Sequence, residues 1–120
     1  MDRSYEGRYR MIENIAVIGQ GKMGESIFYH LINYYNNLTW ICSSREKAEL
    51  KDLDFKKKLN KYKRRDIIDE LKYENLLSNV RISSELGEIS TSHLIIESIT
   101  ENANKKRELI DQIFRIIPES

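Results

Sequence analysis

Six residues constrain this chain more than any others: Gly19-Gln20-Gly21-Lys22-Met23-Gly24, a G-x-G-x-x-G turn between an apolar run and a stretch of helical periodicity. The run before it, Ile15-Ala16-Val17-Ile18, is short and unbroken, the pattern of a strand covered on both faces of a parallel sheet. After it, Met23, Ile27, Phe28, Leu31 and Ile32 recur at helical spacing to about Tyr34, before Asn36-Asn37 breaks the pattern. In that setting each glycine has a mechanical task. Gly19 permits the tight turn, Gly21 lets backbone approach a pyrophosphate with no Cβ between them, and Gly24 lets the helix pack close to the strand. The helix N-terminus adds unpaired N–H groups and the positive end of its dipole. Gln20, Lys22 and Met23 complete this candidate cofactor-binding turn, whose bland alternative is a glycine-rich turn that holds nothing.

The rest of the chain continues the alternation. Residues 1–10 are charged and aperiodic and read as a tail or extension; residues 11–120 read as one dinucleotide-binding domain. Leu38-Thr39-Trp40-Ile41-Cys42 is a second strand. Residues 45–77 form a helical excursion in two or three pieces, with Leu50, Leu53, Phe55, Leu59, Tyr62, Ile67, Ile68, Leu71, Leu76 and Leu77 as apolar sides. Val80-Arg81-Ile82 is a short strand, residues 83–88 a turn or short helix, and Leu94-Ile95-Ile96 a further strand core. A last amphipathic helix runs from about Asn102 to Ile117, with Pro118 beyond it. Strands alternating with helices imply right-handed crossovers, hence a Rossmann-type, doubly wound parallel α/β sheet, expected to be truncated after the fourth strand and its helix.

The charge balance, 20 Lys plus Arg against 19 Asp plus Glu, gives a formal +1 and no global attraction to nucleic acid or to an anionic membrane. No apolar run reaches the ~18 residues that a membrane span needs, and residues 1–10 have no apolar core of signal-peptide length, so neither insertion nor export is expected from this sequence. A single cysteine, Cys42, forms no internal disulfide; it reads as a buried strand residue suited to a reducing, cytoplasmic compartment. His30 and His93 have no partner at a telling spacing and read as structural, and no metal-ligand pattern is present.

Two further clusters bear on ligands. About 20 residues past the glycines of an NAD-binding turn, a carboxylate at the tip of the second strand ordinarily accepts bonds from the ribose hydroxyls. Here the tip is Cys42-Ser43-Ser44-Arg45. Ser43, Ser44 and Arg45 suit a 2′-phosphate, since hydroxyls and a guanidinium donate to it and no acid repels it, so NADP stands beside NAD. The alternative is that a serine caps the next helix and Arg45 is solvated. Residues 51–65 hold eight Lys or Arg against Asp52 and Asp54, a basic segment that fits a phosphate-bearing substrate or a solvated helix face. No aromatic platform accompanies it, which argues against nucleic acid.

Residues 15–24, together with Leu94-Ile95-Ile96-Glu97-Ser98-Ile99-Thr100-Glu101-Asn102, Lys106 and Glu108-Leu109, resemble the N-terminal dinucleotide-binding domain of the L-3-hydroxyacyl-CoA dehydrogenase (3-hydroxybutyryl-CoA dehydrogenase) family over about residues 12–118. The resemblance implies a part of an oxidoreductase of fatty acid metabolism that interconverts 3-hydroxyacyl-CoA and 3-ketoacyl-CoA by hydride transfer to NAD or NADP. It implies a pyrophosphate held by Gly19, Gly21 and Gly24, and Glu101 and Lys106 flanking the nicotinamide half. It further implies a lysine among Lys56, Lys61 and Lys63 approaching the CoA phosphates. The family's ribose-binding Asp aligns with Ser43. Its catalytic His and Glu lie downstream of residue 120, so the 120 residues alone are expected to bind cofactor, hold no catalytic residue, and turn nothing over. A sheet ending at its fourth strand is also expected to self-associate through its edge. The alternatives are a non-catalytic dinucleotide-binding module or gene remnant, and an NADP-dependent reductase of the pyrroline-5-carboxylate reductase type, which similar Ser-Arg tips favour and the segment from Glu97 to Lys106 disfavours.

Overall fold

The first strand, β1 (Asn14–Ile18), is buried from Ile15 onward and organises everything else. The structure, a computed structural model, describes residues 13–99 and 103–116; the expected tail over residues 1–10 lies outside them. On one side β1 pairs in parallel with β2 (Asn37–Ile41), Ile15 opposite Leu38 and Val17 opposite Trp40, and β2 pairs in parallel with β3 (Arg81–Ser83). On its other side β1 pairs in parallel with β4 (Leu94–Glu97), Ile18 opposite Glu97. The order is β3-β2-β1-β4, so the chain winds outward from β1 and then returns to its far side. That reversal between β1 and β4 is the topological switch point of a doubly wound sheet, and it opens a crevice at the carboxyl ends of the strands.

The two faces of the sheet differ. Ile15, Val17, Leu38 and Trp40 point to the face covered by α1 (Lys22–Leu31), α2 (Arg45–Arg64) and α3 (Glu70–Asn79). There Phe28 stacks on Trp40 with ring centroids 4.5 Å apart and meets Phe55 edge-on at 5.4 Å. Side chains of this size stabilise by roughly 1.5–3 kcal/mol each when fully buried, so this aromatic layer is the principal anchor of α1 and α2. Ala16, Ile18 and Ile41 face the other way, against a 3-10 turn (Leu86–Thr91) and α4 (Ala103–Ile116).

The excursion over residues 45–77 resolves into two helices. Between them Asp66 takes a left-handed φ of 57°, a region Asp tolerates better than most residues, and Asp69 caps α3 by accepting the Lys72 N–H at 2.8 Å. Only part of the expected apolar sides is buried. Phe55, Leu59 and Leu76 are inside, joined by Ala48, which the apolar pattern leaves out, whereas Leu50, Leu53, Ile67, Leu71 and Leu77 are exposed. At about 100° per residue, Leu50 and Leu53 lie roughly 140–200° around α2 from Ala48, on the face turned from the sheet. Met23, expected on the buried side of α1, is 69% exposed because it sits in the first turn, above the sheet rim, while Gly24 and Phe28 face inward. Helix α1 ends at Leu31, three residues short of expectation, where Tyr34 N–H bonds to the Leu31 carbonyl and tightens the last turn. His93 is structural: its Nδ1 accepts the Glu13 N–H at 3.1 Å at the start of β1.

Candidate functional site

The glycine turn lies at the switch point and is wired to both neighbouring strands. Gly19 N–H donates to the Ile41 carbonyl at 2.9 Å, and the Gly19 carbonyl accepts the indole Nε1–H of buried Trp40 at 2.7 Å. From β4, Ser98 donates its backbone N–H to the Ile18 carbonyl at 2.8 Å and its hydroxyl to the same oxygen at 3.2 Å. Glu97 accepts the Ile99 N–H at 2.6 Å and so fixes the bend that presents Ser98.

Against this frame the three glycines separate by cause. Gly19 has φ +117°, and a Cβ there would stand 2.8 Å from the Ser98 carbonyl oxygen. A Cβ on Gly24 would overlap the Gly19 carbonyl oxygen and stand 2.6 Å from Ser98 Oγ. Both positions are glycine because the protein's own atoms leave no room. Gly21 is different. Its φ of −69° and ψ of −178° suit any residue, and a Cβ there would meet no protein atom within 4 Å. Neither packing nor backbone conformation demands a glycine, so bare backbone at this point serves something that arrives from outside. Gly21 is also the N-cap of α1 and supplies no capping side chain, leaving the first-turn N–H groups from Lys22 onward directed at that open space. The Lys22 and Met23 side chains on this turn are exposed. These features fit a diphosphate, which needs close approach and several N–H donors at once.

The tip of β2 meets the same turn through Gln20. Its Nε2 donates to Ser43 Oγ at 2.9 Å, and its Oε1 accepts the Ser43 N–H at 2.9 Å. Ser44 caps α2, its hydroxyl oxygen accepting the Lys47 N–H at 3.2 Å. Arg45 is 88% exposed at its side chain, pairs with Glu49 at 3.2 Å, and lines a separate cleft with Glu49, Asp52 and Glu85. Of the three tip residues, only Ser43 reaches the glycine turn.

Beside the turn is a cleft of about 230 Å³ lined by Ile18, Gly19, Gln20, Ile41, Cys42, Ser43, Leu86, Ile99, Leu109 and Gln112. Drug-sized ligands fill roughly 300–1,000 Å³, so this space suits one half of a dinucleotide rather than the whole. Clefts of about 380 and 370 Å³ lie elsewhere, the first at the amino end of the strands around Asn14, Asn37 and Thr91. Position decides against size, because ligands of doubly wound sheets bind at the carboxyl ends. Leu86 and Gln112 are cleft residues that the sequence reading does not single out, while Ile99 and Leu109 enter it only within the segments that carry the family resemblance, with no role in a cleft. They come from three separate segments and carry no motif. Burial pushes the Cys42 thiol up to about 11, with Lys51 and Lys47 pulling weakly the other way, so at neutral pH it is an inert wall.

The basic segment stands apart from the cleft. Lys56 pairs with Asp52 at 2.9 Å, Lys63 pairs with Glu70 at 3.0 Å and lies over the Tyr73 ring, and Lys61 is exposed. At 1.5 Å per residue they are carried roughly 16–27 Å along α2 from Arg45. Glu101 and the side chain of Lys106 lie outside the described residues. Among the described residues, no group of three or more His, Cys, Asp or Glu is placed to hold a metal ion, and no helix is long and apolar enough to cross a membrane.

Comparison with known proteins agrees with this geometry. Residues 14–120 match the family described as 3-hydroxyacyl-CoA dehydrogenase, NAD binding domain. Among solved structures, the chain is similar to the (S)-3-hydroxybutyryl-CoA dehydrogenase of Ralstonia eutropha, with a TM-score of 0.71 and 20% identity over 91% of this chain and 38% of that one. It is also similar to the 3-hydroxybutyryl-CoA dehydrogenase of Escherichia coli, with a TM-score of 0.77 and 21% identity over 90% of this chain and 23% of that one. A third is the dehydrogenase part of multifunctional enzyme 1 from C. elegans, with a TM-score of 0.63 and 22% identity over 90% and 24%. The chain thus spans well under half the length of each of these proteins, and the likeness shows the shared fold. Comparison with curated proteins by sequence gives no match.

Proposed function

Given that this chain belongs to the 3-hydroxyacyl-CoA dehydrogenase NAD binding domain family, we propose that it is the cofactor-holding part of an oxidoreductase that interconverts 3-hydroxyacyl-CoA and 3-ketoacyl-CoA. The observation that carries this reading is Gly21, a glycine that the protein's own packing does not require, at the N-terminus of a helix on the switch point. In it, the backbone from Gly19 to Gly24, with Gln20, Lys22 and Met23, cradles the pyrophosphate. Ser43 meets the adenosine ribose, and Leu86, Ile99 and Leu109 give the cleft an apolar wall. Bound nicotinamide supplies the hydride acceptor, with Glu101 and Lys106 flanking that half. Lys56, Lys61 or Lys63 meets the CoA phosphates, an electrostatically sensible use of a basic helix that stands away from the cofactor.

The cleft residues also support inactivity of these 120 residues alone. Among the described residues, Cys42 is the one titratable side chain lining it, and with its thiol held protonated none of them is poised to take the substrate hydroxyl proton. A buried lone thiol also suits a reducing, cytoplasmic setting. The outward side of β4, with Leu94 partly exposed, supports self-association through the sheet edge.

Calorimetric titration of the chain with NADH tests the reading. Saturable binding, displaced by ADP-ribose and without oxidation of NADH on adding a short 3-ketoacyl-CoA, is the expected result. No binding overturns the cofactor assignment, and turnover overturns the assignment of inactivity.

A further inference from the structure

The contact between Gln20 and Ser43 decides how this site reads the adenosine ribose, an inference that rests on the dinucleotide reading above. Gln20 sits between the first two glycines, and Ser43 stands at the tip of β2, 23 positions later. The Ser43 N–H needs an acceptor, which fixes Gln20 with Oε1 toward that backbone and Nε2 toward Ser43 Oγ, both at 2.9 Å. With one lone pair of Ser43 taken by the amide, its O–H is left to donate, and the second N–H of Gln20 is a further donor beside it. The clamp therefore faces the cleft with two neutral donors and one remaining hydroxyl lone pair.

Among the described residues, no charged side chain lines the cleft at this spot. No carboxylate stands at the β2 tip, so nothing there repels a 2′-phosphate. The nearby guanidinium, Arg45, pairs with Glu49 at 3.2 Å and lines the cleft shared with Asp52 and Glu85 rather than the one beside the glycine turn. Of the two lysines behind the tip, Lys51 pairs with Glu25 at 3.3 Å, and Lys47 is exposed on α2 and lines no part of this cleft. We propose that Gln20 and Ser43 form a neutral ribose-reading clamp, which admits NAD and NADP alike and makes Gln20 a ribose-binding residue of the site. A ribose hydroxyl can accept from the clamp and donate to Ser43 Oγ, while a phosphate oxygen can only accept. The two ligands exchange one bond for another with no net charge term between them.

Parallel titrations of the 120-residue chain with NADH and NADPH test this by affinity alone, with the thermal midpoint of each variant recorded as a folding check. The wild-type affinities should agree within about threefold, less than the tenfold that 1.4 kcal/mol would give. Ser43→Asp should weaken NADPH by about tenfold or more relative to NADH, through like-charge repulsion. Gln20→Ala should weaken both nucleotides by about the same factor, on the order of fivefold for lost neutral hydrogen bonds. Arg45→Ala, at an exposed position, should leave the ratio of the two affinities at its wild-type value. A wild-type preference of tenfold in either direction, or a ratio that shifts with Arg45→Ala, overturns the clamp while leaving dinucleotide binding intact. Failure to bind either nucleotide overturns the reading on which the clamp rests, and the clamp with it.

Discussion

The β1–α1 turn and the α2–α3 hairpin are both rich in motif-like residues, yet they are built on opposite terms. In the turn the flanking residues are tied to the rest of the fold: Gly19 bonds to β2 and to Trp40, Gly24 packs on the Gly19 carbonyl and on Ser98, and Gln20 grips Ser43. In the hairpin Lys56 and Lys63 pair with carboxylates at the surface, and Leu50, Leu53 and Leu71 face solvent. The difference separates two reasons for a residue to be where it is. Where the fold dictates a residue, as at Gly24, its presence says nothing direct about a ligand. Where the fold does not, as at Gly21, the residue's character answers to something else.

That contrast can be broken by substitution, and the largest effect belongs to Gly24→Ala. Its Cβ meets backbone that is itself fixed by Trp40 and Ser98, so a loss of roughly 3 kcal/mol is expected from urea unfolding. A loss under about 1 kcal/mol would show that the turn is softer than its bonds indicate. Trp40→Phe keeps most of the stacking on Phe28 but strips the Gly19 carbonyl of its indole donor, with an expected cost of about 1–3 kcal/mol by the same measurement. In the hairpin, Leu50→Gln with Leu53→Gln should move stability by no more than about 0.5 kcal/mol for each change, because neither side chain is buried. A clear destabilisation there would mean that the outer face of α2 is covered in solution, most simply by a second copy of the chain.

The same contrast explains what could be read before the structure. Strand, turn and helix from Ile15 to Leu31 follow from local periodicity and glycine chemistry, and the structure keeps them within a few residues. The hairpin defeats this reading, since Leu, Lys and Asp alternate all round α2 and only docking against β3 and the shared core selects Ala48, Phe55 and Leu59 as the inner face. The cleft was hidden for another reason. The spacing from the glycines to the β2 tip brings Gln20 and Ser43 together, but nothing in the spacing places Leu86, Ile99 and Leu109 around Ile18, contacts between segments tens of residues apart. Ser98 likewise looks unremarkable as the residue after an apolar strand, yet it is the surface on which Gly19 and Gly24 rest.

The role of Gly21 is open to direct measurement by titrating NADH into wild type and Gly21→Ala under identical conditions, with the unfolding midpoint of each recorded. Because the added methyl meets no protein atom, the two should unfold alike, while the variant's affinity should drop by about tenfold or more, the equivalent of 1.4 kcal/mol. Equal affinities, or a variant that loses stability in step with binding, would show that Gly21 serves the fold rather than a ligand.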